Sequence, residues 1–489
     1  MSDATRWRRP AVMLAALVAL QLPWLDRPVH YDEANFLVLA RGAAEDAWRP
    51  HDVSINWQGT TERAFDVLSN PPGIAWWLAP VIDAPVTVQR AWMLPWLAVA
   101  MAGALRLGRR FAGEAEQGAL VLLTAPIAVL ATPSLLPDAP LYALALLGVG
   151  GFIDAADRST RAWPWALVAG SAALFRYSGL ALFPLLVLYG ARRRATLPAL
   201  AAAVPATLLA IHDVQAYGAV HFLAMGHFQA VATTPFDLYH KAASALAMLG
   251  GAGALPIGGW GPGAVLGAAV GLGMGWRWGW PGLCFAALGG AGLGGAPARS
   301  RDRLFLAAWA FGGFAFLLTL RFTAARYWLP FLPGVLLALP TRWPRLQVAT
   351  QLTLAMLLAA DEERSARADR DLAVATARLG TGVFTGHWGW QWALEQAGWR
   401  ALDEGGRVEP GTLVAIPTEA WPQPVEVACD RVVWEAAAQA SLPWLPRGYT
   451  REGLANLHAN WIAGDPPLRT IAPWTFANDP YERVKVCRP

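Results

Sequence analysis

From residue 11 to about residue 360, apolar runs of 15 to 20 residues alternate with short polar turns. A helix needs about 20 apolar residues to cross a bilayer, and in lipid it satisfies its own backbone hydrogen bonds. The pattern predicts spans near 11–25, 86–105, 117–132, 138–152, 162–175, 178–190, 197–211, 242–258, 263–275, 281–296, 304–320, 327–340 and 346–360. Some of these runs are short, as tilted or broken helices would be, and the Gly-rich stretch 249–296 is the least regular.

The polar turns test this count. Basic clusters stand at "RWRR" (6–9), "RLGRR" (106–110), "DRSTR" (157–161), "RRR" (192–194), "RSRDR" (299–303) and "TRWPR" (341–345). With thirteen spans all of them fall on one side, which the positive-inside bias makes cytoplasmic. A count wrong by one would scatter them. The N-terminus is then inside, and four segments lie outside: the first loop 26–85, the turn 132–138, the loop 212–241 and the tail from 361.

The first loop is longer than a connector needs to be, which marks it as functional. Within it "EANFLVLARGAAE" (33–45) has helical apolar spacing and predicts an amphipathic helix on the membrane surface. "PPGIAWWLAPVI" (71–82) predicts a second interfacial or re-entrant helix. In the tail, "DEERSARADRDLAVATARLG" (361–380) reads as a charged helix leaving the bilayer. Strand-like "GTLVAIP" (411–417) and "YERVKVCR" (481–488) follow, around a helical "WQWALEQAG" (390–398). The organisation is a transmembrane module 1–360 and an extracytoplasmic α+β domain 361–489.

Composition agrees. The chain is 55% hydrophobic, only 15% charged, and holds 26 tryptophans. It is a polytopic α-helical membrane protein. Its net charge of +4 is spread over short loops, so no nucleic-acid partner is implied. The basic start resembles a signal n-region but is followed by no small-residue cleavage site, and reads as a signal anchor. Cys284 lies in a span, while Cys429 and Cys487 lie in the tail and could pair if it faces an oxidising compartment.

Candidate chemistry gathers at the outer ends of the spans. Asp32 and Glu33 follow the first span. A structural reading makes Asp32 the N-cap of the 33–45 helix and places Glu33 in its first turn, for about 1 kcal/mol. A functional reading makes Asp32 a general base at the water–lipid boundary. One residue can do both. Asp138 begins an outer span end, Arg176 sits in a tight outer turn, and Arg321 and Arg326 precede Tyr327 and Trp328. Snorkelling to water is the simpler account of such arginines. Together, however, carboxylates and guanidinium groups in one outer cavity suit a lipid-linked phosphate and an acceptor to be activated. Tyr31, Tyr177 and Tyr327, next to these charges, are further candidates. His387 of "GHWG" has no second ligand at metal spacing and reads as structural. His212, Asp213, His221 and His227 form a loose cluster in an outer loop.

In order, "YDEANF", "NPPGIAWW", "PDAPLYALALLG", "RYSGLALFPLLVLYG" and "RYWLPFLPGVLLAL" give the chain its resemblance to a known family. It resembles the protein-O-mannosyltransferase-like branch of the GT-C membrane glycosyltransferases. The bacterial members, the lipid A aminoarabinose transferase best known among them, are the nearest in pattern. "FTGHWGWQWALEQAG" (384–398) and "PYERVKVCR" resemble the tail of one bacterial subgroup. The resemblance implies a GT-C fold and an inverting transferase in the inner membrane. Such an enzyme takes sugar from a polyprenyl-phosphate donor to a lipid, glycan or protein hydroxyl, with no nucleotide sugar. It implies Asp32 as base, Glu33 as support for Asp32 or the acceptor, and Arg176 and Arg326, with Arg321 nearby, at the carrier phosphate. No cofactor is implied, and the pattern is neutral on a divalent metal. Relatives often carry an acidic, basic or His residue before the "PP"; here Asn70 stands there, and the nearest acids are Glu62 and Asp66.

A multi-span transporter or flippase is the contrasting reading. Transporters tend to hold ionisable groups near the midplane in broken helices. Here the span interiors are nearly free of charge. A family member without activity, its tail a binding module, is a third reading, against which the intact Asp32–Glu33 pair stands.

Overall fold

The computed structural model describes residues 3–489 except 58, 227–233, 257–260, 296–299, 340–342, 422, 424–426, 428, 430 and 465–466. Every stretch expected to span is helical over most of its described length. Among the described residues, Val86–Ala112, Asp138–Asp157, Thr196–Tyr217 and Arg301–Thr319 are each long and apolar enough to cross a membrane alone. Other stretches are broken for identifiable reasons. Pro126 lacks an N–H and opens a second helix, Pro126–Ala131, after Ala115–Leu123. Pro330 lies within the 3₁₀ segment Ala325–Phe331, which precedes the helix Leu332–Leu336.

The Gly-rich stretch acquires a purpose in packing. Helices Pro262–Gly275 and Gly279–Gly294 approach so closely that a methyl group on Gly267 would run into the Gly290 carbonyl, and one on Gly290 into the Gly267 carbonyl. Small residues at this spacing let helix backbones meet in lipid.

The basic loops come together. Arg110 donates to Asp157 at 2.7 Å and to Asp302 at 2.8 Å, and Arg193 pairs with Asp157 at 2.8 Å. Four of the expected cytoplasmic turns are therefore joined to one another.

The first loop folds into the helix Glu33–Glu45, the hairpin of β1 (Ser54–Asn56) and β2 (Thr61–Arg63), and the short helices Ala64–Val67 and Gly73–Leu78. The apolar face of the Glu33–Glu45 helix packs against protein. Its apolar residues Leu37, Leu39 and Ala40 are fully buried, in a core with Ile74, Leu78 and Ile82 and against Trp392 of the tail. Burying side chains of this size contributes about 1.5–3 kcal/mol each. The apolar stripe is used by protein, not lipid.

The last long helix, Pro344–Ala377, has 34 residues and runs without a break from the expected span into the charged stretch. At 1.5 Å per residue it is about 50 Å long, well beyond the hydrocarbon thickness. The tail then forms a five-stranded mixed sheet in the order β4 (Arg400–Ala401), β3 (Gly382–Phe384), β5 (Leu413–Pro417), β11 (Glu482–Arg488), β6 (Arg431–Ala438). Strands β3, β4 and β5 are parallel and β11 is antiparallel to both its neighbours. The helix Trp388–Gln396 joins β3 to β4. Between β6 and β11, strands β7 (Tyr449–Thr450), β8 (Ala455–Asn456), β9 (Trp461–Ile462) and β10 (Leu468–Arg469) make two small antiparallel pairs. Cys429 and Cys487 form a disulfide, with Cα atoms 5.5 Å apart. This tail shares its core with the rest: Tyr31 and Leu372 are buried among Trp390, Trp399 and Val486.

Candidate active site

The stretch "VHYDEANF" turns sharply. Tyr31 adopts a left-handed backbone, φ +45°, which costs a non-glycine residue about 1–2 kcal/mol. Aromatic rings of the tail hold it: Trp388 lies 4.8 Å and His458 4.0 Å from the Tyr31 ring, centre to centre. Gly389 sits directly on the Val29 carbonyl, where no larger residue fits. The turn delivers Asp32 and Glu33 in opposite directions.

Asp32 occupies the N-cap position of the Glu33–Glu45 helix, yet its side chain makes no capping bond. Its carboxylate accepts from Arg326 Nη2 at 2.6 Å and keeps 26% of its side-chain surface exposed. Arg326 Nε lies 3.9 Å from Asp138 Oδ2. Asp138 also accepts from Arg176 Nη1 at 2.7 Å. The Tyr327 ring lies under both guanidinium groups, 4.4 Å from Arg176 and 5.6 Å from Arg326. Four charges thus alternate, Asp32–Arg326–Asp138–Arg176, along an aromatic floor.

Local structure explains each position. Asp138 opens the helix Asp138–Asp157, where the backbone dipole favours a negative charge. Arg176 is extended, in the break between the 3₁₀ segments Ser171–Leu174 and Tyr177–Ala181. Arg326 lies in the 3₁₀ segment ahead of Leu332. All stand where helices start or break, and where side chains can leave the apolar interior.

Glu33 points inward. Its Oε1 accepts from Arg27 Nη2 (3.1 Å), Arg90 Nη1 (2.8 Å) and the Leu135 N–H (3.1 Å). Its Oε2 accepts from Arg90 Nη2 (2.7 Å) and the His30 N–H (2.9 Å). Burial pushes this carboxyl up, but Arg90 and Arg27 outweigh it and hold it at about 2. Glu33 is saturated and buried. Arg27 continues to Glu362 at 2.6 Å, and Glu362 Oε1 lies 3.1 Å from His458 Nε2. Burial raises the Glu362 carboxyl, while His458 and Arg27 bring it down to about 2.

Among the other expected residues, Tyr177 donates or accepts at 2.7 Å with His221 Nδ1, beside Arg176. Arg321 is exposed ahead of Arg326. Glu62 is exposed on β2, and Asp66 pairs with Arg63 at 3.2 Å. Among the described residues, neither acid shares a hydrogen bond or ion pair with Asp32, Asp138, Arg176 or Arg326. His212 bonds Asp213 at 3.1 Å and the Trp48 carbonyl at 2.8 Å; His227 lies outside the described residues. Among the described residues no three His, Cys, Asp or Glu side chains are gathered as metal ligands. His387 bonds Gln391 at 3.1 Å within the first turn of its own helix.

Sequence reasoning missed Arg27, Arg90, Glu362 and His458. Arg90 had a signal, a lone charge in an apolar run. The others had none.

Neither a protein-family model nor a curated protein matches the chain. Two crystal structures of ArnT from Cupriavidus metallidurans are similar to it, each at 17% identity over 81% of this chain and 75% of that chain. The one bound to undecaprenyl phosphate superposes with a TM-score of 0.46, and the apo state with 0.45.

Proposed function

We propose that the protein is an inverting GT-C glycosyltransferase of the inner membrane, moving sugar from a polyprenyl-phosphate donor to an acceptor hydroxyl at the outer face. One observation carries the reading: the Asp32 carboxylate sits at a helix N-cap without capping, and is turned instead to Arg326, which Asp138 links to Arg176. A purely structural acid in that position would bond the helix.

The donor brings a phosphodiester with one negative charge. Its phosphate competes with Asp32 and Asp138 for Arg326 and Arg176, and guanidinium forks suit phosphate oxygens. Once Arg326 turns to phosphate, an Asp32 oxygen is released to the acceptor. The acceptor hydroxyl attacks the anomeric carbon from the face opposite the phosphate while Asp32 takes its proton. The bond from anomeric carbon to phosphate oxygen breaks and its electron pair leaves with polyprenyl phosphate, now doubly charged. Both arginines meet that growing charge, the form of stabilisation that most lowers a barrier.

The test uses the purified protein in lipid, supplied with a cell-envelope extract as the source of acceptor hydroxyls and offered a panel of polyprenyl-phosphate sugars without nucleotide sugars. Wild type should consume one donor and release polyprenyl phosphate; Asp32→Asn should not. Full activity in Asp32→Asn would remove the base assignment. Uptake of a lipid-linked substrate across sealed vesicles, with the sugar linkage intact, would favour transport instead.

A further inference from the structure

His458 belongs to no motif, yet it reaches the centre of the site from the far end of the chain. It lies just after β8, and its turn is firmly built. Asn456 Oδ1 accepts from the His458 and Ala459 N–H groups at 2.9 and 3.2 Å, and Asn456 Nδ2 donates to the Trp461 carbonyl at 2.7 Å. The same turn is stitched to the segment that carries Arg326. The Ala325 N–H donates to the Leu457 carbonyl at 3.1 Å, and the Thr323 N–H donates to Asn460 Oδ1 at 3.1 Å.

The ring geometry has one consistent assignment. Arg326 Nη1 lies 3.1 Å from His458 Nδ1. A guanidinium has no acceptor, so Nδ1 accepts and the neutral ring carries its proton on Nε2. That nitrogen lies 3.1 Å from Glu362 Oε1. One face of the ring rests on Tyr31. His458 therefore touches both sides of the site: the backbone turn that presents Asp32, and the guanidinium that pairs with it.

We propose that His458 is a positioning residue of the transfer centre, holding Arg326 by one nitrogen so that Nη2 is presented to Asp32 at rest and to the donor phosphate in turnover. The tail is then a working part of the site and not an appended module. The kinetic consequence rests on the transferase reading; the contact itself does not.

His458→Leu removes the acceptor and leaves the turn, and His458→Asn keeps an acceptor close to the place of Nδ1. Loss of a hydrogen bond to a charged group corresponds to about a tenfold to hundredfold change. The leaving phosphate gains charge, so the loss should fall on kcat while the donor KM stays near wild type. Most of kcat should return in His458→Asn. A wild-type kcat in His458→Leu, or an equal loss in both variants, would overturn the proposal. If wild type consumes no donor at all, the transferase reading fails, and the contact is then read from melting temperatures. His458→Leu and Arg326→Met should together lower the melting temperature by less than the sum of each alone. An additive sum would overturn the positioning contact as well.

Discussion

Changing Glu33 to Gln removes one charge and almost no volume, as does changing Asp32 to Asn one residue earlier. The two should nevertheless do opposite things. Glu33 receives five hydrogen bonds, among them both terminal nitrogens of Arg90, which is fully buried. In Glu33→Gln the new amide N–H₂ would face donors, either the His30 N–H with Arg90 Nη2 or the set on the other oxygen. Breaking one side of a buried ion pair costs about 3–5 kcal/mol. Asp32 has one strong partner and a quarter of its side chain in solvent, and Asn can still accept from Arg326. That change should cost about 1 kcal/mol or less. On the proposed reading of Asp32 as the base, activity should run the other way, because a general base contributes about 10² to 10⁴ in rate. Melting curves in detergent and donor consumption per folded molecule, measured on both variants, separate the roles. Expected are a folded, inactive Asp32→Asn and a destabilised Glu33→Gln whose surviving molecules still turn over. A Glu33→Gln protein that melts with wild type and is inactive would refute the assignment of Glu33 to support.

Thiol labelling of unfolded protein should find one reactive cysteine without reductant and three with it, because Cys429 is bonded to Cys487 and Cys284 is free. Cys429→Ser should destabilise the tail by about 4 kcal/mol on the chain-entropy account of a loop this long, read by denaturant titration. Burial pushes the Asp361 carboxyl up to about 7 against the pull of Arg447. The folded tail thus keeps a proton that the unfolded chain gives up near pH 4, so stability should fall as pH rises from about 4 to about 7. Asp361→Asn should flatten that slope in melting temperature against pH. Gly267→Leu should push the Pro262–Gly275 and Gly279–Gly294 helices apart and lower the yield of monodisperse protein, whereas Gly273→Leu, with open space at its Cβ, should not.

The helical stretches were legible because lipid leaves a chain little choice: apolar runs must be helical, and prolines such as Pro126 and Pro330 state where helices break. The tail strands at 413–417 and 482–488 were legible from β-branched residues in short runs. For the Glu33–Glu45 helix, amphipathic spacing says that one face is buried without saying in what. Lipid and a protein core select the same residues. The N-cap and base readings of Asp32 could not be separated locally, since both want an acid at the same place; the direction of its carboxylate, away from the helix, speaks against the cap. His458 and Glu362 were invisible for a different reason. Their partners Arg326 and Arg27 are 132 and 335 residues away, and neither "NLHAN" nor a charged helix carries any trace of such a contact.

The resting pairing of Asp32 with Arg326 looks at first like an obstacle, because a base and an anion-binding group that satisfy each other are both unavailable. On the proposed transferase reading it has a use. An unpaired guanidinium and an unpaired carboxylate would each be costly to hold half-buried, and each would attract adventitious ions. Paired, they stay in place until an anion with more charge and a better-matched fork enters. A donor phosphate meets that description and a neutral acceptor hydroxyl does not. On this argument donor binding precedes activation of the acceptor, because only the donor can release Asp32 from Arg326. While no donor is bound, water or acceptor reaching the site finds Asp32 held by Arg326 and no free base.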